Sequence, residues 1–551
     1  MTGEGMQMAT EAQPETQLPG TFTRRATGLV RDVSPKSAVL INFIPGNPVI
    51  GLAYGLFFAF GLYAGGNFLL ALLLLLPMSL AYSYSFGLLT AAIPRSGGDY
   101  ILVSRVLGPV AGVASSFYMM LANGMLSNAL TAIFFTTLGL GPGLVTIGLV
   151  ADSHSLVSAG TTLLSNEKWQ FGIGVGVLLA AAIPLAGGWR WASRIQWGLF
   201  LFTIAGLLFS AIVALFTSRS SFRGSFNDFS APITHQADSY GGVLNAAGKA
   251  GVDVSAPFSL SHTLPMVAVV AGFGLYSYWS SNIGGELRQG RSTKTAHRMA
   301  LGGVLSMASL ALLALILFHS YGKDFLTAAY SAGLPDQFGG ASPTYFVLTS
   351  VQLDSVPVAI FLVASFTMFW VLLTYVAFLQ PTRLLFAYSL DGLLPKSVSK
   401  VTRSGAPAAA VAITVVLSTA TLAWALFIST SLFQVVTYTV LAQLLSMGLV
   451  GLSALVFPWR RPEMYRASSS VRRLAGVPVV SIAGAAAVTS TVVIWVLYFT
   501  EAKLGLQDKP QFFAWIGGTG LLAVAFFYGA RAVRRRQGIE LDYVYAEIPP
   551  E

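Results

Sequence analysis

Phe43-Ile44-Pro45-Gly46-Asn47-Pro48-Val49-Ile50-Gly51-Leu52 lies inside an uncharged apolar run that extends from Ser37 to Ala64. Pro45 and Pro48 lack the amide hydrogen a helix needs, and Gly46 and Gly51 stabilise a helix least, so the stretch predicts a helix broken here. In hydrocarbon an unpaired backbone group costs several kcal/mol, and a break at mid-membrane persists only where protein or an aqueous cavity surrounds it. The break therefore predicts a buried polar site. Half-helix ends left there present amides to anions and carbonyls to cations, which holds a substrate without charged side chains.

Composition places the run in a larger pattern. Of 551 residues 54% are hydrophobic and 10% charged, against about 25% charged in an ordinary soluble domain. Windows long enough to cross ~30 Å of hydrocarbon recur twelve times, at 38–62, 67–93, 107–139, 169–189, 195–217, 263–285, 299–320, 356–380, 407–428, 432–457, 476–500 and 511–530. The fold class expected is an all-α integral membrane protein. Residues 1–36 lack a short apolar core followed by a small-residue cleavage site, so the first span is expected to be retained, behind a largely disordered N-terminal tail. With no cysteine, disulfide and thiolate metal or redox chemistry are excluded.

The net charge of +10 is decided by where the cations lie. With the N-terminus inside, 25 of the 32 Lys and Arg fall on the cytoplasmic side although the longest loops are external. That bias predicts both termini cytoplasmic in a multi-pass protein of the cell membrane. It also assigns the basic clusters, including Arg531, Arg534, Arg535 and Arg536, to topology and contact with membrane lipids rather than nucleic acid.

Pro94 stops the second span, Ser96 to Asp99 has turn chemistry, and the residues to Arg105 suit a short amphipathic segment on the cytoplasmic face. Ser116, Asn123 and Ser127 share one face of the third span; such a face either meets a substrate or bonds a neighbouring helix. Loops 141–168 and 219–262 are rich in Gly, Ser, Asn and Asp and read as lids or surface connections. The sixth span repeats the device of the first, with Gly272-Phe273-Gly274 at mid-membrane, then Tyr276, Tyr278, Trp279 and Asn282, and Gly284-Gly285-Glu286 at its end. Segment 321–357 stands, on the opposite side, where 94–105 stands between spans two and three. Two breaks at equivalent positions predict an inverted repeat. It divides the chain into a tail (1–36), a first five-helix repeat (37–217), an external loop (218–262), a second repeat (263–457), helices eleven and twelve with their preceding loop (458–530) and a cytoplasmic tail (531–551).

In this order and spacing the residues resemble the amino acid-polyamine-organocation permeases, which share the fold of the sodium-coupled leucine transporter. The resemblance rests on Pro94 to Tyr100 with Arg105 and on Gly285-Glu286 before a basic loop. Further along it rests on Thr382-Arg383 with Asp391-Gly392-Leu393-Leu394-Pro395, and on Phe457-Pro458-Trp459-Arg460-Arg461-Pro462-Glu463. It implies alternating access around a site between spans one, three, six, eight and ten. Amides at the first break would hold the substrate carboxylate, and carbonyls of both breaks its amino group. Carried onto this chain, the site is Gly46, Asn47 and Gly51 with Gly272, Phe273 and Gly274, Phe273 standing near where the family has an aromatic that closes over the substrate. Pro45 and Pro48 depart from the family's Gly and Ser cluster, and Tyr276 stands where a Gly is common.

All 22 Asp and Glu and all 32 Lys and Arg lie outside the twelve windows. Interior charges mark proton relays or counter-ions to charged ligands; without them a neutral amino acid suits the pocket best, with an amine or another small organic solute as the alternative. No cofactor is expected. The coupling ion, sodium or proton, stays open beside plain exchange: the fifth span has no Lys, and Ser365 and Thr367 are separated by Phe366. Thr367, Trp370 and Thr374 share a face that substrate contact and core packing explain equally. Glu286, beside Arg288 and Arg291, is expected to pair with the basic loop and steady an inner gate. An enzyme would need converging acid, base or metal-ligating side chains, and a channel a repeated filter or charged ring; neither pattern is present. The expected protein is a secondary permease, monomer or homodimer, with a transporter-like nutrient sensor as the other reading.

Overall fold

The computed structural model describes residues 31–402, 405–429, 431–506 and 508–546. Within them twelve helices are long and apolar enough to cross a membrane. In order they are Pro35–Leu62, Phe68–Ala92, Pro109–Val150, Glu167–Ala186, Trp189–Leu215, Leu260–Asn282, Lys294–Tyr321, Val356–Leu390, Ala408–Phe427, Gln434–Arg460, Val479–Thr500 and Lys509–Arg536, referred to below as spans one to twelve. The only sheet among the described residues is a two-stranded ribbon that pairs Arg473–Leu474 with Val477–Pro478.

Span one breaks where its prolines require. The helix Pro35–Phe43 tightens into a 3-10 turn at Ile44–Gly46, Asn47 is extended, and helix resumes at Pro48. Asn47 stitches the break: its side chain accepts from the Val49 amide at 2.7 Å and donates to the Ile44 carbonyl at 3.0 Å. This is how an N-cap satisfies orphan groups that lipid would leave unpaired. In span six the helix runs through Gly272-Phe273-Gly274 and ends there, followed by 3-10 turns at Trp279–Asn282 and Gly284–Glu286. The three residues expected to form the second break are thus the last turn before it, and no second half-helix follows.

Several loops differ from expectation. Span three continues to Val150 through two π-helical segments, Met120–Leu126 and Phe135–Leu140. Gly143, read as a loop residue, lies in helix packed on span eight, where an added Cβ would come within 2.3 Å of Val363. Arg219–Thr234, Ser239–Lys249, Lys323–Ala332 and Tyr345–Leu353 are helices on the side opposite the N-terminus. They share an aromatic core in which Tyr240 stacks on Phe325 at 4.5 Å and Phe226 on Phe338 at 5.9 Å. Apolar burial makes these loops packed caps rather than plain connections.

On the N-terminal side, helix Gly98–Val106 is buried along its whole length instead of lying amphipathic on the surface. The tail helix Asp542–Ala546 covers it: the Tyr545 hydroxyl is 3.0 Å from that of Tyr100, and the Arg105 guanidinium lies 5.0 Å from the Tyr545 ring. Arg534, expected to meet lipid, donates to the Gly392 and Leu394 carbonyls. The end of the N-terminal tail is tied down as well, for Val33 pairs with Leu287 and Asp32 with Arg190 and Arg288, whose guanidiniums hold its carboxyl below the usual range. The rest of that tail, residues 1–30, lies outside the described residues, as do 547–551.

Candidate functional site

Where the two breaks face each other, a central cavity offers about 70 Å³ to the centres of water molecules. Spans one (Pro45, Ile50, Tyr54), three (Asn123, Ser127, Leu130, Thr131, Phe134), six (Gly272, Tyr276, Trp279), eight (Trp370, Leu373) and ten (Val436, Thr439, Val440, Gln443) supply its walls. None of these seventeen side chains is charged. Phe134 and Trp370 meet with centroids 5.2 Å apart, and Tyr276 stacks near Trp279 at 6.4 Å, so much of the enclosure is aromatic.

Three lining residues keep a buried polar atom with no hydrogen-bond partner among the described residues: Asn123 Oδ1, Trp279 Nε1 and Trp370 Nε1. Buried polar atoms normally find partners. An amide and two indole N–H groups around one small volume supply what a ligand with both donors and acceptors needs, whichever way the amide is turned. Asn123 Nδ2 is spent on the Met119 sulfur at 3.2 Å.

Of the residues singled out in the sequence, Pro45, Asn123, Ser127, Gly272, Tyr276, Trp279 and Trp370 line this cavity, while Gly46, Asn47, Gly51, Ser116, Phe273, Gly274 and Thr367 do not. Gly46 faces span seven, where its carbonyl accepts from the Ser306 hydroxyl. Gly51 packs on Leu310, and Gly274 on Leu75 and Met307. Phe273 turns its ring onto Gly55 and the edge of Tyr54 instead of closing over the cavity. Thr367 faces Gly139 of span three, whereas Ser365 faces Gly206 of span five and donates to the Leu362 carbonyl. The two hydroxyls therefore diverge and do not form one cation site.

Between the cavity and the N-terminal side lies a layer of polar locks that the sequence reading missed. Asn42 and Ser280 exchange two hydrogen bonds, at 2.9 and 2.8 Å, joining the breaks of spans one and six. Gln443 reaches from the cavity wall to the Tyr278 hydroxyl at 2.8 Å. Glu286 does not pair with Arg288 or Arg291. Its carboxylate takes a fork from Arg383, Nε to Oε1 and Nη2 to Oε2 both at 2.9 Å, and the Ser96 hydroxyl at 3.3 Å. Arg383 is 97 residues away in sequence, and the fork geometry of guanidinium on carboxylate outcompetes the looser basic loop. Arg105 holds Asp391 through one nitrogen, Nη2 donating to both carboxylate oxygens at 2.9 and 2.8 Å. The motif residues Arg105, Asp391, Glu286 and Arg383 thus form two buried ion pairs, and their opposite charges in one chain were the available signal.

No individually curated protein matches this chain. Residues 39–522 match the sequence profile of the family described as amino acid permease.

Proposed function

Because the chain belongs to the amino acid permease family of the APC superfamily, we propose that it carries neutral amino acids across the cell membrane by alternating access around the central cavity. Membership makes it a multi-pass transporter of amino acids and not an enzyme. The finer reading is carried by one observation: the cavity between the breaks has no charged wall but retains unpaired amide and indole groups. A charged substrate side chain would enter such a place uncompensated, at a cost of several kcal/mol. The α-ammonium and α-carboxylate of a zwitterion find half-helix ends and these unpaired groups instead.

In this reading Asn123, Gly272 and Tyr276 touch the substrate. Gly46, Asn47, Gly51, Phe273, Gly274 and Thr367 set the backbone around it, and Glu286 with Arg383 closes the cytoplasmic gate. Segments 37–217 and 263–457 act as inverted repeats, helices eleven and twelve stand outside them, and both termini are cytoplasmic.

The test is counterflow in proteoliposomes loaded with unlabelled leucine, alanine, lysine or glutamate. Neutral amino acids should trans-stimulate uptake of their labelled forms and the charged ones should not. Equal stimulation by lysine or glutamate would refute neutrality, and no stimulation by any amino acid would refute the carrier reading.

A further inference from the structure

Asp99 is 1% exposed, and its situation differs from that of the two other acidic groups in the same layer. Glu286 and Asp391 are each paired with a buried arginine. Asp99 has hydroxyls in place of an arginine: Ser115 on span three donates to Oδ2 at 2.8 Å and Ser446 on span ten at 3.0 Å, while Oδ1 has no partner within hydrogen-bond geometry among the described residues. A buried carboxylate lacking a counter-ion is more comfortable as the neutral acid. Burial pushes the Asp99 carboxyl up to about 6, against the downward pull of the Ser115 and Ser446 hydroxyls and the amides of Tyr100 and Asp99.

The neighbours do not supply a charge. From span six the Tyr278 hydroxyl feels Asp99, and from the extension of span eight so does that of Tyr388, which is bonded to Ser116. On its own helix Arg105 and Tyr100 are engaged with Asp391, and Tyr545 of the tail helix with Tyr100. On span two Tyr82 is bonded to Thr491. Among the described residues no ion pair to Asp99 is formed, and the largest influences on its carboxyl are burial and hydrogen bonds rather than a cation.

Its position links it to the cavity. Ser446 lies one helical turn from Gln443 on span ten, and Gln443 both lines the cavity and holds Tyr278. Asp99 therefore sits in the seam where helix Gly98–Val106, span three and span ten meet, beneath the cavity on the N-terminal side.

Taking the transport reading above as given, we propose that Asp99 binds the proton that accompanies the amino acid. With the seam sealed, the carboxylate takes up a proton from the cavity side and becomes the neutral acid. When the seam opens, water and bulk dielectric reach the group, the O–H bond breaks and the proton leaves to the N-terminal side. Sealing and protonation favour each other, so release of the proton is tied to opening. A bland alternative is that Asp99 only decorates the first turn of its helix, where an acidic residue is favourable. Asn keeps the acceptor but not the titration, so Asp99→Asn separates the two.

In proteoliposomes of the full chain, an acid-outside gradient should drive labelled leucine above its equilibrium level. Asp99→Asn should lose that accumulation and show a flat pH profile, yet keep leucine counterflow, since exchange moves no net proton. Gradient-driven accumulation by the variant would overturn the proposal, as would counterflow without accumulation in the wild type. The latter would leave the transporter reading intact. Infrared titration of the purified protein needs no transport: a carboxyl band that titrates in the wild type and is missing from Asp99→Asn supports the assignment, and no such difference overturns it. Ser446→Ala guards against misfolding of the first variant. It removes a donor that pulls the carboxyl down, so the midpoint should move to higher pH, and an unmoved midpoint counts against Asp99.

Discussion

Removing one side of the Glu286–Arg383 fork tests the proposed gate. The side chains are 5% and 6% exposed and share two hydrogen bonds of 2.9 Å. Breaking such a buried pair from one side costs about 3–5 kcal/mol, mostly because the remaining charge is stranded. If the fork exists only with the cytoplasmic gate closed, Glu286→Gln loses this stabilisation from the closed state alone. At about 1.4 kcal/mol per decade, even the lower figure moves the closed-to-open ratio by a factor of roughly 10². The chain has no cysteine, so a single Ser281→Cys in the buried turn behind the fork is a clean reporter. Its labelling by an impermeant maleimide from the N-terminal side should accelerate about a hundredfold in Glu286→Gln, in proportion to that population shift. The double variant Glu286→Gln/Arg383→Gln should recover part of the closed state, because no charge is stranded. Equilibrium affinity for substrate should change less than turnover. Unchanged labelling together with an equal loss of thermal stability in both single variants would make the fork a structural clamp, and a large loss of affinity at normal turnover would place Glu286 in the binding site.

Gly272→Val should lower substrate affinity while leaving the melting temperature near wild type, since its Cβ meets Tyr54 and Val440 at an ordinary 3.6 Å and only the added methyls enter the cavity. Gly46→Val should instead lower both, because its Cβ would stand 2.9 Å from the Phe273 carbonyl and the Ser306 hydroxyl; thermal-shift and scintillation-proximity measurements on one preparation check the pair. Asp99 titrates near 6 when folded, above the ordinary 3.8, so the stability it contributes is complete below about pH 4 and lost as pH rises through about 6. Some two units correspond to about 3 kcal/mol at most, and the melting temperature of Asp99→Asn should therefore fall less than that of the wild type between pH 5 and pH 8. For topology, maleimide added outside cells should label Ser220→Cys and spare Thr2→Cys; the reverse pattern would invert the proposed orientation.

The parts of the fold legible in the sequence were those set by covalent chemistry and bulk hydropathy. Pro45 and Pro48 cannot complete a helix, and the break stands where they do. Asn123 and Ser127 fall on the cavity face as their helical spacing suggested, whereas Ser116, expected beside them, bonds the Tyr388 hydroxyl of the neighbouring helix. Glycine is less informative. At Gly272-Phe273-Gly274 it marked the neighbourhood of a break but not its place, since the same residue serves a turn and a close approach equally. Gly143 shows the second use. Hardest to read were polar groups brought together from afar: Ser96 to Asp99 has the composition of an exposed turn, and nothing local reveals that Ser115 and Ser446 will enclose it. The aromatic caps did leave a trace, since Phe222 and Phe226 are one turn apart in a segment otherwise polar.

Three π-helical stretches, Gly51–Gly55, Met120–Leu126 and Phe135–Leu140, lie in two of the helices that wall the cavity. A wide turn accommodates one residue more than an α-helical turn, and such turns concentrate at functional sites. It behaves like a dislocation in a crystal: as it glides along the helix by one residue, an i→i+5 bond is exchanged for an i→i+4 bond. The residues it passes swing by about 100°, the angle one residue occupies in an α-helix. Asn123 lies within one such stretch, so a one-residue glide there would rotate its amide relative to the cavity while exchanging one backbone bond for another, leaving no amide bared to hydrocarbon.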